Sequence, residues 1–102
     1  MDVAPLNMDT AFFIDLTIKK DEGYLGYGRF YIGDDRQVAI EVFDLLQGTP
    51  ELDENSVLRL DFMEMKRGVP INIKVLNCTL SQIAENCRII TKETFKRFSL
   101  GI

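Results

Sequence analysis

Residues 11–33 read AFFIDLTIKKDEGYLGYGRFYIG, and the alternation in this stretch decides the fold. Phe12, Ile14, Leu16 and Ile18 fall on one side of an extended chain, and Phe13, Asp15, Thr17 and Lys19 on the other. That period of two predicts a strand with one buried face. The DEG at 21–23 supplies a turn whose glycine tolerates positive φ. YLGYGRFYIG (24–33) then returns as a second strand, so the stretch reads as a β-hairpin. Continued alternation puts Tyr24, Gly26, Gly28, Phe30 and Ile32 on the helix side of that strand. Leu25, Tyr27, Arg29 and Tyr31 then face outward. Glycine is costly inside a strand, so Gly26 and Gly28 predict a shallow trough that a helix approaches closely.

Outward from the hairpin, GDDRQVAIEVFDLLQG (33–48) has helical spacing at Val38, Ala39, Val42, Leu45 and Leu46, with Phe43 at the edge of that face. Asp34 or Asp35 caps it, and Gly48 and Pro50 end it. TPELDEN (49–55) is a polar loop. SVLRLDFMEMK and PINIKVLNC alternate again around the turn KRGVP. Leu58, Leu60 and Phe62 point inward on the first, and Ile71, Ile73 and Val75 on the second. Thr79 with Gln82 forms a capping-box pattern for a last helix carrying Leu80, Ile83, Ala84, Cys87, Ile90, Thr94 and Phe98 on one face. A second possible cap at Thr91 leaves one helix or two open over 79–98. The order ββαββα predicts an α+β, two-layer domain: a four-stranded, mainly antiparallel sheet with both helices on one face. Residues 1–10 read as a loose leader and 11–102 as the single domain.

The outer face then carries Phe13, Leu25, Tyr27, Arg29, Tyr31, Met63, Met65 and Leu76, among charges of both signs. A face meant for water alone is mostly polar, whereas aromatics, Met and Arg are enriched where proteins touch. These eight residues are therefore the candidate interface, and the expected function is a non-catalytic protein-interaction module. Its partner is another protein or, most simply, a second copy about a twofold axis. Two alternatives stand beside it. One is single-stranded nucleic acid stacked on the same aromatics. The other is a ligand-binding domain or small enzyme with a pocket between sheet and helices.

Composition bears on both. The chain has 102 residues, a formal charge of −4 and no histidine. The negative balance argues against general affinity for phosphate backbones. The missing histidine removes the commonest acid–base and metal-binding group. Cys78 and Cys87 alone make a poor zinc site, so no metal or cofactor is expected. With Cys87 about 12 Å along a helix starting at Thr79, no disulfide between the two is expected either. The glycines before the first helix do not make a phosphate loop, because Asp34 and Asp35 follow Gly33 where lysine and a hydroxyl are needed. Asp15 and Asp61 could meet on the outer face, with nearby arginines expected to pair with them. Arg88, Lys92 and Lys96 line up on the last helix, a basic strip for an anionic partner or an ordinary solvated face. No run is long enough to cross a bilayer and MDVAPLNMDT lacks an apolar signal core, so the expected location is cytoplasmic.

Overall fold

The structure is a computed structural model that describes residues 10–21, 23–51 and 57–99. Residues 1–9 of the expected leader lie outside it, as do residues 52–55 of the polar loop and the side chain of Phe98. The strands are β1 (Thr10–Lys20), β2 (Gly23–Tyr31), β3 (Leu58–Lys66) and β4 (Val69–Cys78). The helices are α1 (Arg36–Asp44), between β2 and β3, and α2 (Leu80–Ser99), after β4. Together they form one antiparallel sheet in the order β2-β1-β3-β4, with both helices on one face. The class and element order are those read from the sequence.

The central strands carry the core. Phe12, Ile14 and Leu16 on β1 and Leu60 and Phe62 on β3 are buried together with Ala39 and Phe43 of α1 and Ile83 and Ile90 of α2. Phe43 stacks on Phe62 with centroids 5.0 Å apart. Asp35 caps α1 by accepting the Val38 amide at 3.0 Å. Leu45, expected on the buried face of α1, ends the helix instead and is half exposed.

Beyond it, Gly48 has φ +147, and a Cβ there would lie 2.9 Å from the Asn77 carbonyl oxygen. Only glycine lets the chain pass so close. Thr49 thereby pairs with Asn77 on the free side of β4, with N–H···O distances of 3.0 and 2.7 Å. The turn between β3 and β4 has positive φ at both Arg67 and Gly68, the backbone of a tight hairpin.

The last helix is continuous. Its capping box is formed: Gln82 Oε1 accepts the Thr79 amide at 2.9 Å, and Thr79 Oγ1 accepts the Gln82 amide at 3.2 Å. Its buried face runs through Ile83, Asn86, Ile90 and Glu93, so Leu80 and Ala84, expected inward, are exposed.

Two β-bulges correct the expected strand parity. On β2, Leu16 pairs with Gly28 but Thr17 pairs with Gly26, leaving Tyr27 as the extra residue. Residues 28–31 keep the expected faces. Before the bulge the faces exchange. Leu25 pairs with Ile18 on the helix side and leaves the outer face, while Tyr24 pairs with Lys19 and joins it. On β4, Phe62 pairs with Lys74 but Met63 pairs with Asn72, making Ile73 the extra residue. Leu76 therefore pairs with Leu60 and turns toward the core, and Cys78 follows it, against the expected outward placement. Val75 moves to the outer face opposite Asp61.

Candidate interaction surface

The outer face is organised as two similar groups that meet at its centre. In the first, Phe13 and Tyr31 are cross-strand partners with ring centroids 5.6 Å apart. Arg29 lies 4.8 Å from the Phe13 centroid and holds Asp15 with two hydrogen bonds, from Nε to Oδ1 at 2.7 Å and from Nη2 to Oδ2 at 3.1 Å. That carboxylate raises the Arg29 pKa above its ordinary value. In the second group, Arg59 lies 3.8 Å from the Tyr24 centroid and pairs with Asp61. The aligned bond runs from Nη2 to Oδ2 at 3.0 Å. Nε approaches Oδ1 to 2.8 Å as an ion pair, without the alignment of a hydrogen bond.

Asp15 and Asp61 are register partners across β1 and β3. Like charges directly opposite repel, so each carries its own arginine. Asp61 is only 7 % exposed, on the face away from α1 and α2, where it pairs with Arg59. This arrangement suits recognition more than acid–base chemistry, because both carboxylates are already held by permanent cations.

Of the eight interface candidates, the structure brings Phe13, Arg29, Tyr31, Met63 and Met65 onto one face. Tyr27 stands at the bulge beside them, and Leu25 and Leu76 are on the other side. Met63 accepts a contact from Asn72 Nδ2 at 3.4 Å. Tyr24 was missed. The signal was available in the two glycines flanking Tyr27, since strand glycine also marks bulges.

Gly26 and Gly28 do not admit a helix. A Cβ at either would meet nothing within 4 Å, and neither has positive φ. The trough is open, which overturns the expected close approach.

Elsewhere, all three cations of the basic strip are exposed, and Arg88 is tied to Glu85, which raises the arginine pKa and lowers that of the glutamate. Both cysteines are free. Burial pushes the Cys78 thiol up to about 11, against the opposing contact with Asn86, and also raises Cys87. Neither is poised as a nucleophile.

An open hollow of about 480 Å3 lies between α1 and β4, with Phe43, Leu46, Val75 and Leu76 in its wall and the Asp44–Lys74 pair (3.5 Å) at its rim. Among the described residues no three candidate metal ligands cluster, and no helix is long and apolar enough to cross a membrane. Compared with known protein families, curated proteins and solved structures, the chain matches none of them.

Proposed function

We propose that the protein is a non-catalytic interaction module that self-associates through the β2 side of its sheet. One observation carries the reading. The nine residues of β2 hold four of the large hydrophobic side chains left exposed: Tyr24, Leu25, Tyr27 and Tyr31. Phe13 extends them across β1. Clustered aromatic exposure of this kind marks contact surfaces. The reading also narrows the sequence expectation, because Leu76 and the β4 half of the face no longer contribute. Nucleic acid fits this surface poorly, since Arg29 and Arg59 already neutralise Asp15 and Asp61.

Sedimentation equilibrium at tens of micromolar tests the proposal. The expected result is a mass of two chains for the wild type and of one chain for Tyr27→Asp, with unchanged circular dichroism. A monomeric wild type overturns it. A second reading, a small-ligand site, has the hollow beside Asp44 in its favour, since its size suits an amphipathic small molecule. Among the described residues its polar lining is the Asp44–Lys74 ion pair, which supports a reading of binding.

A further inference from the structure

The two edges of the sheet are built differently. β4 carries Pro70 and Lys74, and the Thr49–Asn77 bridge covers one end of it. These are the devices that keep an edge from pairing. β2 reads GYLGYGRFY and has no proline and no lysine. Its one charge, Arg29, is held by Asp15. Among the described residues no strand lies beyond it.

The ladder fixes which β2 groups point outward. Phe12 accepts the Ile32 amide, so even-numbered residues of β1 bond β2; the Lys19 amide reaches Val57, so odd-numbered ones bond toward β3. Gly26 and Arg29 pair with Thr17 and Asp15, both odd, and therefore turn their own backbone groups to the open edge.

Hollows flank this edge on both faces. One of about 470 Å3 lies on the helix side, walled by Phe30, Ile90, Thr94 and Phe95. One of about 310 Å3 lies on the outer side around Gly26, Tyr27 and Gly28. Neither glycine is required by its own φ or by packing within the chain. Such a gap accommodates the aromatic side chain of an adjoining strand.

We propose that a second copy of the chain adds its β2 to this edge, antiparallel about a twofold axis. The two sheets become continuous, with tyrosines of each copy lying over Gly26 on the outer face of the other. A strand pairing with itself is a self-complementary contact, as twofold symmetry demands. An axis near Tyr27 keeps the two Arg29 side chains apart. The area suffices. Tyr24 (36 %), Tyr27 (70 %), Tyr31 (53 %) and Phe95 (60 %) expose enough side chain that, at roughly 200 Å2 per aromatic, two copies bring about 900 Å2. Leu25 and the strand backbone raise this toward the ~1,200 Å2 of a stable complex.

This inference rests on the proposed self-association through β2 and adds its mode. Gly26→Pro removes an edge-facing amide without breaking a ladder bond, and sedimentation equilibrium reads the result. A dimeric wild type with a folded, monomeric Gly26→Pro is the expected outcome. A dimeric wild type whose Gly26→Pro variant also dimerises overturns edge pairing and leaves the contact reading standing. A monomeric wild type overturns both. Should the variant fail to fold, amide exchange on the wild type decides. The Gly26 and Arg29 amides exchange on the order of tenfold more slowly in the dimer if the edge is paired. They exchange at equal rates in concentrated and dilute samples if it is not.

Discussion

Asn86 on α2 is hydrogen-bonded through both side-chain polar atoms to the backbone of Gln47, just beyond α1. Oδ1 accepts the Gln47 amide at 2.8 Å, and Nδ2 donates to the Gln47 carbonyl at 2.7 Å. The side chain is fully buried. It acts as a one-residue strand partner for Gln47, and it fastens the end of α1 to the last helix. Asn86→Ala leaves the Gln47 amide without a partner in a sheltered place and its carbonyl with only the weak Cys78 thiol donor, and costs about 2–3 kcal/mol in urea unfolding.

Asn86→Asp tests the same contact by charge. The carboxylate accepts the Gln47 amide but faces the carbonyl with no proton to donate. Its native pKa therefore rises above the unfolded value near 4. A raised native pKa means that the protonated side chain favours folding. The contribution is present below the unfolded pKa and lost as pH rises through the native one. The variant is thus expected to recover stability relative to wild type as pH falls from 7 toward 4. A deficit that grows on acidification excludes this account.

Removing Arg59 exposes the tension at the centre of the outer face. Asp61 is sheltered and sits opposite Asp15, so Arg59→Met leaves a carboxylate with a like charge for a neighbour. The expected loss is about 2 kcal/mol, between the values for exposed and buried pairs. Adding Asp61→Asn to Arg59→Met recovers most of it, because the uncompensated charge is then gone. A double variant as unstable as the single one would place the loss in the Tyr24 contact instead.

The local rules of the fold were legible in single residues. Phe12, Ile14 and Leu16 announce a strand with one buried face, Asp35 a helix start, and Thr79 with Gln82 a capping box, because each depends on neighbours a few positions away. The bulges at Tyr27 and Ile73 were not read, since a bulge is a relation between two strands and alternation within one strand cannot fix it. Their cost to the site was specific: one extra residue moved Leu25 and Leu76 to the helix side and brought Tyr24 out. Asn86 escaped for a related reason. A polar residue reads as exposed until the backbone group it serves is known.

The glycines give opposite expectations at three positions. Gly26→Ala and Gly28→Ala add a methyl group into open space at ordinary φ, so each stabilises the isolated chain by about 0.5–1 kcal/mol. Gly48→Ala puts a Cβ against the Asn77 carbonyl at φ +147 and costs about 2 kcal/mol or more, loosening the Thr49–Asn77 bridge. Thermal melts of dilute samples separate the two signs. A destabilising Gly28→Ala under these conditions means that the strand needs glycine for a reason internal to the chain, which would remove one support from edge pairing.

Cys78 makes the fold sensitive to alkali. Its thiol donates to the Gln47 carbonyl at 3.4 Å, beside Asn86, and burial holds its pKa at about 11. In the unfolded chain the same thiol ionises near 8.5. A raised native pKa stabilises the protonated, folded form at neutral pH, and that contribution is lost as pH climbs from about 9 through 11. The expected loss across this window is about 2 kcal/mol, counted as the difference between wild type and Cys78→Ala so that tyrosines and lysines titrating nearby cancel. Cys78→Ala is less stable than wild type at pH 7, having lost a packed side chain, but flatter against pH. The same shift makes the native thiol slow toward disulfide reagents, which attack through the thiolate. Cys87, only half buried, reacts first; equal rates for the two thiols would show that Cys78 opens to solvent without unfolding of the chain.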